Sequence, residues 1–146
     1  MNTTSDIWPR VWVAAILSTP AWAVAQSSEE KAVRSTVEQY FRGHATGNGH
    51  EMRKAFLPTA HIEGNREGRF VSWTADEYSS RFTGKPAADE ASRKRTIDDV
   101  DVSGNAAMAR ATLVHGATTF TDYFVLLKVD GEWKIANKVY ASRPTK

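Results

Sequence analysis

A chain of 146 residues has room for one ordinary domain and not two. With 41% hydrophobic and 25% charged residues its composition is globular, which excludes wholesale disorder and fibrous repeats. A net charge of +2 is too thin to argue for nucleic acid, and the lack of cysteine excludes disulfides, thiolate metal sites and thiol nucleophiles.

Residues 1–25 differ from the rest. Arg10 gives a positive flank, residues 11–17 are a short apolar run, and Pro20 precedes the small-x-small pattern Ala23-Val24-Ala25 that a signal peptidase reads. The run is shorter than the roughly 20 apolar residues a bilayer span needs. The reading is a signal peptide over 1–25, cleavage after Ala25, export to the periplasm or exterior, and a single domain over 26–146 with no membrane association after cleavage. Ser27 and Glu30 have the spacing of a capping box, and Val33, Val37, Tyr40, Phe41 and His44 follow on one helical face. Asn48-Gly49-His50-Glu51 opens a second short helix that Pro58 ends. Residues 60–64 and 69–73 read as strands, and Thr74-Ala75-Asp76-Glu77 as a capping box for a third helix carrying Tyr78 and Phe82. Residues 93–103, 106–115, 118–129 and 132–142 read as strands joined at Gly104-Asn105, Gly116-Ala117 and Asp130-Gly131. The order α-α-β-β-α-β-β-β-β predicts an α+β, cone-shaped roll, with three helices on a strongly curved antiparallel sheet and a cavity at its wide end.

Strand alternation makes the facing testable. A two-residue turn at Gly116-Ala117 sets Ala107, Ala109, Ala111 and Leu113 opposite Leu126, Phe124, Asp122 and Phe120. A two-residue turn at Asp130-Gly131 sets Ile135 opposite Leu126, Asn137 opposite Phe124, Val139 opposite Asp122 and Ala141 opposite Phe120. All these face inward, so Asp122 and Asn137, with His115 at the end, are the polar groups over an alanine-lined hollow. Arg110, Thr112, Thr121, Tyr123, Lys138 and Tyr140 fall on the outer face, which reads as a homodimer interface because Tyr and Arg are enriched at such contacts.

Asp122 in an apolar pocket is the candidate general base, with His61 as partner. The candidate ligand-binding set is Asp122, Asn137, His115, Tyr40, Phe41, Phe120 and Phe124. His61, Glu63 and His115 lack metal-ligand spacing, so no metal is expected. Gly43, Gly47 and Gly49 do not form a dinucleotide fingerprint and no Gly-x-Ser-x-Gly elbow exists, so no cofactor is expected either. Arg93-Lys94-Arg95 reads as a solvated strand edge.

The stretch Phe120-Thr121-Asp122-Tyr123-Phe124, running through Asp130-Gly131-Glu132-Trp133-Lys134-Ile135 to Tyr140, resembles the C-terminal signature of the lumazine-binding family. That family is a branch of the nuclear-transport-factor-2-like superfamily, which includes SnoaL-type cyclases and ketosteroid isomerases. Tyr40-Phe41 and Gly47-Asn48-Gly49, running on to Phe56, resemble its N-terminal half. Where relatives tend to have His-Pro-Asp-Ala, this chain reads Leu57-Pro58-Thr59-Ala60. The resemblance implies a cone-shaped, commonly dimeric fold with a cavity between helices and sheet. It also implies a lumazine-like or other aromatic ligand stacked on Tyr40, Phe41, Phe120 or Phe124. Binding without chemistry is the first expectation; an isomerase, cyclase or dehydratase using Asp122 is the second, and a dimeric interaction module the third.

Overall fold

The computed structural model describes residues 21–66 and 68–145. The basic flank, apolar run and proline of the expected signal peptide lie outside them. Its elements are α1 (Ala21–Thr46), α2 (Gly49–Arg53), β1 (His61–Arg66), β2 (Arg69–Thr74), α3 (Ala75–Ser79), a 3₁₀ turn at Glu90–Ser92, β3 (Lys94–Ser103), β4 (Ala106–His115), β5 (Thr118–Val129) and β6 (Glu132–Pro144). The six strands form one sheet in the order β2-β1-β6-β5-β4-β3, and the architecture is α+β as expected. The sheet is mixed in one place: β1 runs parallel to β6, through Ile62↔Lys138, Glu63↔Val139 and Gly64↔Tyr140. Among the described residues no helix is long and apolar enough to cross a membrane.

Two of the three expected caps form. Asn48 accepts from the Glu51 amide at 3.1 Å. Thr74 and Glu77 make a reciprocal capping box that starts α3. The cap expected at Ser27 does not start α1, because the helix already runs through it from Ala21. The alanines and glutamine before it are good helix formers, and Ser28 Oγ donates back to the Ala25 carbonyl at 2.7 Å.

α1 is held to the sheet by specific bonds. Glu29 accepts from Lys128 Nζ and from Trp133 Nε1, each at 2.7 Å. Those two bonds keep the Glu29 carboxyl below its usual value. Val33, Val37 and Tyr40, one turn apart on its inner face, are fully buried with Met52, Ile62, Leu126 and Ile135. Each large apolar side chain so buried contributes about 1.5–3 kcal/mol.

The hairpins follow their turn residues. Asp130 (φ 52°) and Gly131 (φ 82°) are the left-handed pair that a type I′ reversal demands. The β4–β5 register is the expected one, with Ala109↔Phe124, Ala111↔Asp122 and Leu113↔Phe120. The β5–β6 register holds from Val129↔Glu132 to Leu126↔Ile135 and then shifts at a bulge. Beyond it Val125 pairs with Asn137, Phe124 with Lys138, Asp122 with Tyr140 and Phe120 with Ser142.

The cause is non-local. Ile135 donates its amide to Ala55 O at 2.8 Å and accepts from the Leu57 amide at 2.9 Å, so the α2–β1 connection occupies the free edge of β6 there. From Lys138 onward β1 takes over that edge. Ala136 is the extra residue at the change of partner. As a result Lys138 and Tyr140, expected on the outer face, turn inward, while Asn137 and Val139 turn away.

Candidate functional site

Inside the fold lies a cavity of about 420 Å³. β5 supplies Phe120 and Asp122, β4 supplies Leu113 and His115, β6 supplies Lys138 and Tyr140, and α1 supplies Tyr40 and His44. Trp73 from β2, with Tyr78 and Phe82 on and just after α3, adds an aromatic wall. Arg66 and Arg81 are exposed at the rim, with Arg81 over the Trp73 ring at 4.8 Å, and Arg93 completes the lining.

The floor is a buried ion pair. Lys138 Nζ lies 2.8 Å from Asp122 Oδ2, with side-chain exposures of 4% and 2%. Two ions so far from water are tolerated only when paired and further hydrogen-bonded. Tyr40 supplies the further bond, donating its hydroxyl to the same Oδ2 at 3.2 Å. That hydroxyl is 2.9 Å from His44 Nε2, which is also 3.0 Å from the Tyr78 hydroxyl. A phenol has one hydrogen, and Tyr40 spends it on Asp122, so its oxygen can only accept from His44, while the Tyr78 hydroxyl can donate to Nε2 or accept from it. Burial and the Asp122 charge push the Tyr40 phenol well above its usual value. Burial first, and then the Lys138 charge, push the His44 imidazole well below its own. The proton order in this cluster is therefore fixed: phenol protonated, His44 neutral.

His115 stands at the other side, its ring 5.7 Å from His44 and 5.6 Å from Phe120. Its Nε2 is buried without a hydrogen-bond partner among the described residues. Burial, with Arg93 and Arg95 nearby, lowers it to about 4, so it too is neutral at pH 7. Arg93-Lys94-Arg95 lies at the edge strand β3, as expected, with Lys94 exposed, but its two arginines are not solvated. Arg95 has an 8% exposed side chain and makes two bonds to Glu90, at 2.6 and 2.8 Å, while Arg93 pairs with Asp89 at 2.9 Å.

Of the residues singled out in the sequence, Asp122, His115, Tyr40 and Phe120 line this cavity. Phe124 is fully buried beneath it, 5.3 Å from the Tyr40 ring, and Phe41 packs on the core; neither is part of the lining. Ala109 and Ala111 are buried in the core, where their small size lets α1 approach the sheet rather than leaving a hollow. Asn137 is displaced by the bulge and serves the strands instead. Its Oδ1 accepts from the His61 amide at 3.0 Å and its Nδ2 donates to Glu63 Oε2 at 3.1 Å, stitching β6 to the start of β1. His61 is exposed, its Nδ1 3.0 Å from the Thr59 carbonyl, outside the cavity and apart from Asp122.

Sequence reasoning missed Lys138, Tyr140, Trp73, Tyr78 and the three arginines. Tyr78 and Phe82 carried a signal in their i, i+4 spacing. Tyr140 depends on a neighbour without a side chain: a Cβ on Gly64 would sit 2.5 Å from its ring, so only glycine lets the ring lie across β1.

Comparison with known proteins places this architecture. An NTF2-like protein of unknown function from Shewanella baltica OS155 is 27% identical with a TM-score of 0.73, over 82% of this chain and 97% of that one. A similar protein of unknown function from Silicibacter pomeroyi DSS-3 is 26% identical with a TM-score of 0.72, over 80% of this chain and 98% of that one. Aldolase FrzH from Cladobotryum sp. is 24% identical over 120 residues, 81% of this chain and 94% of that protein. The family model described as "Putative lumazine-binding" matches residues 28–141, and the chain belongs to that family of NTF2-like proteins.

Proposed function

We propose that this protein binds a small, flat, partly aromatic molecule carrying a carbonyl or anionic oxygen, a pteridine-like compound being the first to try. The observation that carries this reading is the cavity of about 420 Å³, walled by Trp73, Tyr78, Phe82, Phe120 and Tyr140 and floored by the Asp122–Lys138 pair. Aromatic walls give stacking area, and a few convergent polar groups fix orientation. With His44 and His115 neutral, Lys138 offset by Asp122 and Arg93 offset by Asp89, the rim cations Arg66 and Arg81 leave the lining positive, which favours a ligand with negative charge or electron-rich oxygen. Thermal unfolding against pteridines, flavins, steroids and aromatic carboxylates tests it. A true ligand raises Tm as RT ln(1 + [L]/Kd) dictates, and a panel without any rise overturns the reading.

A second reading is proton transfer with Asp122 as base, a carboxylate lining the cavity and linked through its Oδ2 to Tyr40 and Lys138. The relative described as an aldolase points the same way. In that case Asp122→Asn abolishes turnover while binding persists.

Export and dimerisation complete the proposal. Residues 1–25 carry the flank, apolar run and cleavage pattern of a signal peptide, and every residue lining the cavity comes after them. The outer sheet face exposes Met108, Tyr123, Val125, Leu127 and Val139, an apolar set suited to a second copy of the chain.

A further inference from the structure

Lys138 is only partly used by its ion pair. An ammonium has three N–H bonds to place. Among the described residues, Asp122 Oδ2 is the only hydrogen-bond acceptor at Nζ. The other directions meet rings: the centroids of Tyr140, Tyr40, Tyr78 and Phe124 lie 5.0, 5.2, 5.7 and 6.0 Å from Nζ. The side chain is 4% exposed yet borders the cavity, so a seated ligand meets it before bulk water does. A lysine desolvated among apolar groups is the residue that forms Schiff bases with carbonyl compounds, provided something nearby takes its proton. Asp122 is that acceptor, 2.8 Å away, and moving one proton along this bond turns ammonium and carboxylate into amine and carboxylic acid without changing the net charge.

We propose that Lys138 holds aromatic aldehydes or ketones as a reversible imine at the floor of the cavity, with Asp122 carrying the protons. This rests on the reading of the cavity as a small-molecule site and adds the class of ligand. Asp122 first takes a proton from the ammonium. The amine lone pair then forms the N–C bond while the carbonyl π pair moves to oxygen, which takes that proton back from Asp122. Asp122 next removes a second proton from nitrogen and delivers it to the new hydroxyl. Water leaves as the nitrogen lone pair closes the C=N bond. Nitrogen has lost two hydrogens, the carbonyl oxygen has left as water, and a protonated imine stands beside the carboxylate, with nothing oxidised or reduced. Tyr40, bonded to the same oxygen, holds Asp122 in place throughout.

The test uses the full chain, 2-naphthaldehyde with cyanoborohydride to trap the imine, and 2-naphthoate as an unreactive analogue. Peptide mapping should find one naphthylmethyl group on Lys138, formed at least about tenfold faster than on the exposed Lys31 or Lys85 because the aldehyde is held against the amine. Lys138→Gln should lose that label. Since this variant leaves Asp122 without its cation, the mapping of the wild-type chain is decisive by itself. Labelling of Lys138 no faster than Lys31 and Lys85, with 2-naphthoate still raising Tm, overturns the imine and leaves the binding reading standing. No labelling of Lys138, with no rise in Tm from 2-naphthoate or from any member of the ligand panel, overturns both.

Discussion

Removing Asp122 and Lys138 from water costs several kcal/mol per ion, and their mutual attraction offsets this only while both are present. Breaking the pair is therefore far worse than replacing it. Asp122→Asn or Lys138→Met alone should destabilise the fold by about 3–5 kcal/mol in urea unfolding, whereas Asp122→Leu with Lys138→Met should recover most of that loss. A double variant no more stable than the singles would show that the pair does not act as a unit. The histidines set the response to acid. His115 titrates at about 4 in the fold against 6.5 in the open chain, and His44 is lowered in the same sense. Between those values the unfolded chain binds protons that the native one refuses, so stability is full above pH 6.5 and falls as pH drops toward 4. Glu29 and Glu90, held below 4.5, act only lower on the scale. Tm should fall between pH 7 and pH 5, and His115→Gln should flatten that fall.

The decisive element is β6. Its first half was legible, because Asp130-Gly131 fixes the hairpin and the alternation through Trp133 and Ile135 fixes the face. Its second half was not. Asn137-Lys138-Val139-Tyr140 alternates polar and apolar whichever way it is turned, and nothing local reports that Ile135 is bonded to the α2–β1 connection. A lysine read alone belongs in water; here its place depends on a carboxylate one strand away. The caps of α2 and α3 and the β4–β5 register were readable for the opposite reason, since each is set by residues close in sequence. Asn137 holds two strands together instead of facing a ligand. Asn137→Ala should cost about 1–2 kcal/mol and speed hydrogen exchange at the His61 amide. Ligand-induced stabilisation should persist, since Asn137 is not part of the cavity lining.

At the scale of the molecule, helices cover one sheet face, and among the described residues the other stays open. Val125 is 52% exposed beside Tyr123, Leu127, Met108 and Val139, more apolar surface than a monomer gains from leaving in water. Sedimentation should give a dimer for residues 26–146, and Val125→Lys with Leu127→Lys should give a monomer that keeps its Tm response to ligand. A monomeric parent chain would end the proposal of a dimer.

The residue inserted at Ala136 makes β6 two instruments joined at a swivel. Upstream, the strand is committed to hairpin closure and cannot be re-aimed without unzipping β5. Downstream, its side chains are aimed by where that swivel sits. A protein built this way could change which groups its chamber shows a guest by gaining or losing one amino acid elsewhere along this strand, with helices, hairpin and rim arginines left as they are.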